Sequence, residues 1–226
     1  RAVADVLFGA DGVAAGARSG ALVVDASTIG PDAARGIAAR LAHHRLRYVD
    51  APVMGSVAPA TQGTLGVLAG GTDGDVAQAR PLMEAWGDPE RVLHVGPVGS
   101  ASGLKLAVNL VMDVLAEGVG EALRLVADLG LDREVALRAL GAGPAGWILQ
   151  QKREMLESGD FIGTTFSLDL LAKDLDLAAA AGARDLPAVR VALGSARAAG
   201  SGGQDYAALI GWLERASDPD QTQPGR

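Results

Sequence analysis

Residues 99–130 limit the fold of this chain more than any other stretch. They read Gly-Ser-Ala-Ser-Gly-Leu-Lys-Leu-Ala-Val-Asn-Leu-Val-Met-Asp-Val-Leu-Ala-Glu-Gly-Val-Gly-Glu-Ala-Leu-Arg-Leu-Val-Ala-Asp-Leu-Gly. Apolar residues at Leu104, Val108, Val111, Leu115, Val119, Ala122, Val126 and Leu129 follow helical spacing. Ser102 is placed to cap the start, and Gly130 to end the helix in a left-handed turn. The pattern predicts a helix of about 27 residues, about 40 Å at the usual rise. It is apolar nearly all round, so it needs neighbours on several sides. Lys105 and Asn109 stand four apart on one face of it.

A lysine near a helix start opposes the helix dipole, which favours cations at the other end. A long side chain snorkelling to water is one reading. Composition supplies another. The chain has three lysines, Lys105, Lys152 and Lys173, against seventeen arginines. Arginine is thus the default surface cation. Lysine differs in that its amine can exchange protons near neutral pH when buried. Lys105 and Lys173 therefore invite a chemical reading.

Ahead of the long helix, short apolar runs alternate with helical ones. Residues 21–25, 47–51, 65–69 and 92–95 read as strands, the first as a buried parallel one. Residues 2–8, 31–45 and 73–86 read as helices, with Pro31 at a first helical position. That alternation predicts an α/β sheet. Beyond Gly96-Pro97 the strand signals stop. Residues 133–140, 147–156, 168–181, 188–199 and 206–216 are all helical in period. The boundary falls near residues 96–99, giving an α/β part over 1–97 and an all-helical part over 98–216. Residues 217–226, rich in Asp, Gln and Pro, are expected to be disordered.

Some functions are excluded. The net charge of −7 and the lack of a basic patch argue against nucleic-acid binding. No run has membrane-spanning character. There is no cysteine, so thiol catalysis and disulfides are out, which fits a cytoplasmic location. The first residue is Arg and the chain starts inside an apparent helix, so the N-terminus is expected to be missing.

Gly141-Ala-Gly143-Pro-Ala-Gly146 matches the GxGxxG dinucleotide string, but a helix precedes it where a strand is needed. It reads as a helix–helix loop. His43 and His44 are adjacent on a helix and point about 100° apart, so they do not form a chelating pair. His94 reads as a core-edge residue. No metal site is evident. Ser27 and Thr28 sit where a strand gives way to a helix. Their hydroxyls can cap that helix or touch a ligand. The turn at Met54-Gly55-Ser56 leaves a strand at the same edge. It is either a tight turn or an anion cradle. Lys173-Asp174-Leu175-Asp176 lies on a late helix and is otherwise a solvated charged face.

Together these pieces resemble the β-hydroxyacid dehydrogenase family, the 3-hydroxyisobutyrate dehydrogenases and their relatives. The resemblance runs from residue 7 to about residue 213. It rests on Asp25-Ala-Ser-Thr-Ile-Gly-Pro31, on Asp50-Ala-Pro-Val-Met-Gly-Ser56 with Gly63-Thr-Leu65, on Gly99 through Lys105 to Asn109, and on Phe166 with Lys173-Asp174-Leu175. It implies a Rossmann-type α/β domain followed by an all-α domain led by one long helix. It implies Lys105 as the catalytic lysine and Asn109 as its substrate-holding neighbour. It places Ser27 among the substrate-binding residues, Met54, Gly55 and Ser56 at the substrate carboxylate, and Thr28 and Lys173 at an NAD or NADP cofactor. It also implies a homodimer or homotetramer.

Two departures stand out. The family's carboxylate loop usually reads Ser-Gly-Gly, and here it is Met-Gly-Ser. The first βαβ unit with its glycine-rich pyrophosphate loop, roughly 60 residues, is absent, so the chain alone is expected to be inactive. The expected reaction is reversible hydride transfer between a nicotinamide and a 3-hydroxy acid or semialdehyde acid, with Lys105 as general acid/base. Two rivals keep the fold: an imine reductase-like enzyme, and a non-catalytic oligomerisation module.

Overall fold

A computed structural model describes residues 2–215. The tail expected at 217–226 lies outside the described residues. The elements run α1 (Ala2–Phe8), α2 (Val13–Gly16), β1 (Leu22–Asp25), α3 (Pro31–His43), β2 (Arg47–Asp50), β3 (Val53–Met54), α4 (Val57–Gln62), β4 (Leu65–Gly70), α5 (Asp73–Trp86) and β5 (Gly87–Gly96). There follow α6 (Ser100–Asp128), α7 (Arg133–Gly141), α8 (Gly146–Ser158), α9 (Leu168–Ala180), α10 (Pro187–Ala196) and α11 (Ala207–Arg215). The chain forms two compact units. Among the described residues, one comprises 2–109 with Asp174–Arg184, the other Leu110–Lys173 with 185–215.

The first unit is built on a mixed five-stranded sheet. β1 and β2 are parallel, β4 and β5 are parallel, and β4 runs antiparallel to β2 and β3. Side chains alternate across the sheet, so neighbours on β2 enter different cores. Tyr48 packs with Leu7, Ala34, Ile37 and Leu41 from α1 and α3. Val49 packs with Val76, Ala79 and Met83 from α5. Helices thus cover both faces, the arrangement a Rossmann-type sheet needs.

All the expected strands are present, and β5 is longer than its apolar run, reaching back to Gly87. β3 and α4 carry no strong pattern of their own. β3 exists because Val53 and Met54 pair with Val67 and Gly66 of β4. α3 stops at His43 rather than at residue 45, because Arg45 takes a left-handed φ of 56° to turn the chain into β2.

The second unit is all helical. α6 spans 29 residues and ends before Gly130, whose φ is 65°. Gly120 lets α6 and α11 touch, since a Cβ there would lie 2.7 Å from Leu213 Cβ. Arg133 pairs with Glu214 and also donates from Nη2 to the Leu156 carbonyl at 3.0 Å, tying α7, α8 and α11 together. The GxGxxG string forms the α7–α8 connection with no strand before it.

Candidate active site

β1 and β2 are in register, with Leu22 opposite Arg47 and Asp25 opposite Asp50. Both strands therefore end at one edge, and loops 26–30 and 51–52 leave from it. In open α/β sheets the carboxyl ends of parallel strands are where ligands collect. Each strand ends in a buried carboxylate.

Asp25 organises the first loop. Its Oδ1 accepts the Ser27 N–H at 2.9 Å, and its Oδ2 accepts the Tyr48 hydroxyl at 2.9 Å. Burial first, then the Asp25 charge, push the Tyr48 phenol well above its ordinary range, so it stays a donor. The N-cap of α3 is Gly30, with no side-chain cap. Neither Ser27 nor Thr28 therefore stands at the N-cap position. Both are half-buried on the loop.

Asp50 organises the second edge. Its Oδ1 accepts the Gly99 N–H at 2.9 Å. Its Oδ2 accepts both the Ser102 N–H and the Ser102 hydroxyl at 2.8 Å. Ser102 is thus not the cap expected from sequence. It lies inside α6 and donates outward, because Asp50 already occupies the capping position.

Met54 is the last residue of β3 rather than part of a loop, and it packs across Gly66. Gly55 has φ +125°, and a Cβ there would come within 2.8 Å of Leu65 Cδ2, so the turn demands glycine. Ser56 precedes α4 but its side chain does not cap it. The Ser56 Oγ is buried and has no hydrogen-bond partner among the described residues. A buried hydroxyl left unsatisfied costs free energy, which a polar ligand group at that turn would recover.

Lys105 lies in the second turn of α6 and is half-buried. Asn109, one turn on, is buried, and its Nδ2 donates to Asp174 Oδ2 at 2.5 Å. Asp174, quoted above only as part of a motif, thereby becomes the partner that fixes Asn109. Lys173 is exposed on α9, at the end of the stretch belonging to the helical unit.

Elsewhere the structure offers less. His94 is within reach of the Gly71 and Gly96 carbonyls at 3.0 and 3.1 Å, a partnership that suits a strand-edge residue. No group of three or more His, Asp or Glu residues among the described residues could hold a metal. No helix among them is long and apolar enough to cross a membrane. An open cleft of about 540 Å³ between α7 and α8, lined by Leu137, Arg138, Leu149 and Arg153, contains none of the expected site residues.

The chain thus combines an α/β unit built on a mixed sheet with a unit of helices, and α6 has residues in each. The NAD binding domain of 6-phosphogluconate dehydrogenase matches residues 1–96. The NAD-binding domain of NADP-dependent 3-hydroxyisobutyrate dehydrogenase matches residues 99–213. The chain belongs to the β-hydroxyacid dehydrogenase family. A Synechocystis oxidoreductase is 35% identical over 77% of this chain and 60% of its own length. The 2-(hydroxymethyl)glutarate dehydrogenase of Eubacterium barkeri is 31% identical over 92% of this chain and 71% of its own. The crystal structure of 3-hydroxyisobutyrate dehydrogenase from Salmonella typhimurium superposes with a TM-score of 0.81 at 29% identity, covering 93% of this chain and 75% of that one. The chain thus spans roughly three fifths to three quarters of the length of these relatives.

Proposed function

We propose that this chain carries the catalytic lysine and substrate loop of a 3-hydroxyacid dehydrogenase. The reaction is reversible hydride transfer between NAD or NADP and a small 3-hydroxy acid or semialdehyde acid. The observation that supports this reading is the start of α6, with Lys105 in its second turn, against Asp50 at the carboxyl end of β2, beside the end of β1 from which the loop bearing Thr28 leaves. The relatives named for 3-hydroxyisobutyrate and 2-(hydroxymethyl)glutarate support the substrate class, since both are small hydroxy acids.

The residues present fit the nicotinamide end of such a cofactor. The Ser27–Thr28 segment is anchored at the strand end by the Ser27 N–H bond to Asp25 and precedes the N-cap of α3. Thr28 would contact the cofactor, and Lys173 would approach it from α9. When bound, the nicotinamide donates or accepts the hydride. The buried Ser56 hydroxyl and the Gly55 turn would hold the substrate carboxylate and fix which face reacts. Asn109, tied to Asp174, would hold the substrate from the next turn of α6. In reduction the Lys105 ammonium hydrogen-bonds the carbonyl oxygen, stabilises its developing negative charge and releases a proton to it. In oxidation the neutral amine takes the hydroxyl proton. Exposed Val108, Val111 and Leu125 on α6 support a dimer or tetramer, and the lack of cysteine supports the cytoplasm.

The test uses this chain within its complete gene product. Turnover is measured on 3-hydroxy acids and on cyclic imines with each nicotinamide. Activity on hydroxy acids that falls about 10²–10⁴-fold in Lys105→Ala is expected. Unchanged turnover in that variant, or reduction of the imines alone, would remove the reading.

A further inference from the structure

We infer that Asp50 is a positioning residue for Lys105, acting as the N-terminal cap of α6 from a strand 49 residues upstream. The inference rests on the proposed role of Lys105 for its catalytic meaning, but its geometry stands on its own.

A helix start leaves its first backbone N–H groups without partners. The usual local remedy is a capping box. There the N-cap side chain accepts from the N–H three residues on, and the side chain at that third position reaches back to the N-cap N–H. α6 can do neither. Its N-cap is Gly99, at φ +91°, where a Cβ would lie 2.9 Å from the Pro31 carbonyl and 2.8 Å from Arg35 Nη1. Only glycine fits, so the N-cap has no side chain to offer. Three residues on is Ser102, whose hydroxyl donates to Asp50. The two N–H groups that a capping box would satisfy, Gly99 and Ser102, are both met by one Asp50 carboxylate.

The surroundings are built to receive that carboxylate. Asp50 is 1% exposed and Ser102 fully buried. Gly70, opposite Asp50 on β4, leaves the room, because a Cβ there would stand 2.4 Å from Asp50 Oδ1. All three of its donors are uncharged N–H and O–H groups of α6 and its N-cap. The carboxylate's charge is therefore answered by the positive end of α6 itself. It also resolves the misplaced lysine. A cation in the second turn opposes the dipole, and a fixed anion at the helix start offsets that opposition.

Three bonds to one rigid strand end set both the depth and the rotation of α6. A rotation of about 20° would move a group about 6 Å from the helix axis by about 2 Å. Misplacement by about 1 Å can cost about 10²-fold in rate. Ser102 and Lys105 lie three apart, so the residue that Asp50 grips shares a helix face with the lysine.

The three lysines make this testable without turnover. In the complete gene product labelled at lysine Cε with ¹³C, the Lys105, Lys152 and Lys173 signals are assigned through Lys→Arg variants. Asp50→Asn is expected to displace the Lys105 signal and leave those of Lys152 and Lys173 in place. Amide exchange at residues 99–103 is expected to rise about 10-fold or more. A Lys105 signal that stays put while those amides exchange faster would make Asp50 a stabiliser only and overturn the inference. So would no change in either. If Asp50→Asn does not fold, Ser102→Ala removes one bond of the three. It should move the Lys105 signal the same way by less, and an unmoved signal there is equally decisive. Full turnover in Lys105→Ala would remove the dehydrogenase reading while leaving these signals as they are, so the two failures are distinguishable.

Discussion

Asp50 in the α/β unit and Asp205 in the helical unit are both fully buried carboxylates, yet they are satisfied in opposite ways. Asp50 meets only backbone and hydroxyl donors at a helix start. Asp205 meets a buried ammonium. Lys152 Nζ lies 2.8 Å from its Oδ2 and 2.7 Å from Thr165 Oγ1. The Thr165 and Ala207 N–H groups add bonds of 3.0 Å. Lys152 also sits over the Tyr206 ring. This cluster clasps the loop before α9 to the segment before α11, with Tyr206 N–H on the Phe166 carbonyl and Asp205 N–H on that of Phe161. One carboxylate sets a helix; the other secures a loop. A carboxylate answered by a helix start can be weakened by degrees. One answered by a buried cation fails all at once, because its loss strands a charge.

The largest effect expected from this difference is in Asp205→Ala. It leaves the Lys152 ammonium buried and uncompensated, at a cost of about 3–5 kcal/mol. Urea unfolding would measure it. The double variant Lys152→Met with Asp205→Leu should recover the part of the loss due to the stranded ammonium, though not the bonds to the Thr165 and Ala207 N–H groups, and a double variant as unstable as the single would break the contrast. Gly70→Ala comes next. Its methyl group collides with Asp50, and about 1–3 kcal/mol is expected, as for other overpacked cores. Hydrogen exchange should show the loss first in residues 99–103 and leave the Asp205 clasp protected. Ser102→Ala is milder, about 1 kcal/mol by thermal unfolding, since Asp50 keeps two of its donors.

Acid sharpens the comparison with the least effect. Burial alone would raise the Asp205 carboxyl, but the Lys152 bond and the Ala207 and Thr165 amides together hold it below the ordinary range. A carboxyl depressed in the folded state stabilises fully above its unfolded value, about 3.9. That contribution is lost as pH falls through the lower folded value. The Tm gap between the chain and Asp205→Asn should therefore be flat from pH 7 to about pH 5 and shrink only below about pH 4. A gap that already closes at pH 6 would contradict the clasp.

Periodicity made the architecture readable. The apolar runs in β1, β2 and β4 and the long stretch behind α6 each report their own burial, so their elements follow from local pattern. β3 and α4 did not, because a two-residue strand exists only through its pairing with β4. The same division holds in the site. Lys105 and Asn109 were legible as a pair on one helix face. Ser56 was legible as a turn hydroxyl, though not its lack of a partner. The roles of Asp25 and Asp50 were hidden, since each acts through residues brought near only by folding. One signal was available: both are acidic residues closing apolar strands, where a charge needs a reason. Ser102 misled for a related cause. Local spacing offers it as a cap, and only the fold reveals that a distant carboxylate has taken that place.

The most direct trial of the account is the turnover of Lys105→Arg in the complete gene product on a 3-hydroxy acid. Arginine keeps the charge and the donors but does not release its proton. If Lys105 transfers the proton, the variant falls about as far as Lys105→Ala, about 10²-fold or more. If it turns over near the rate of the unaltered enzyme, proton transfer at Lys105 is wrong, and with it the chemistry proposed for this site.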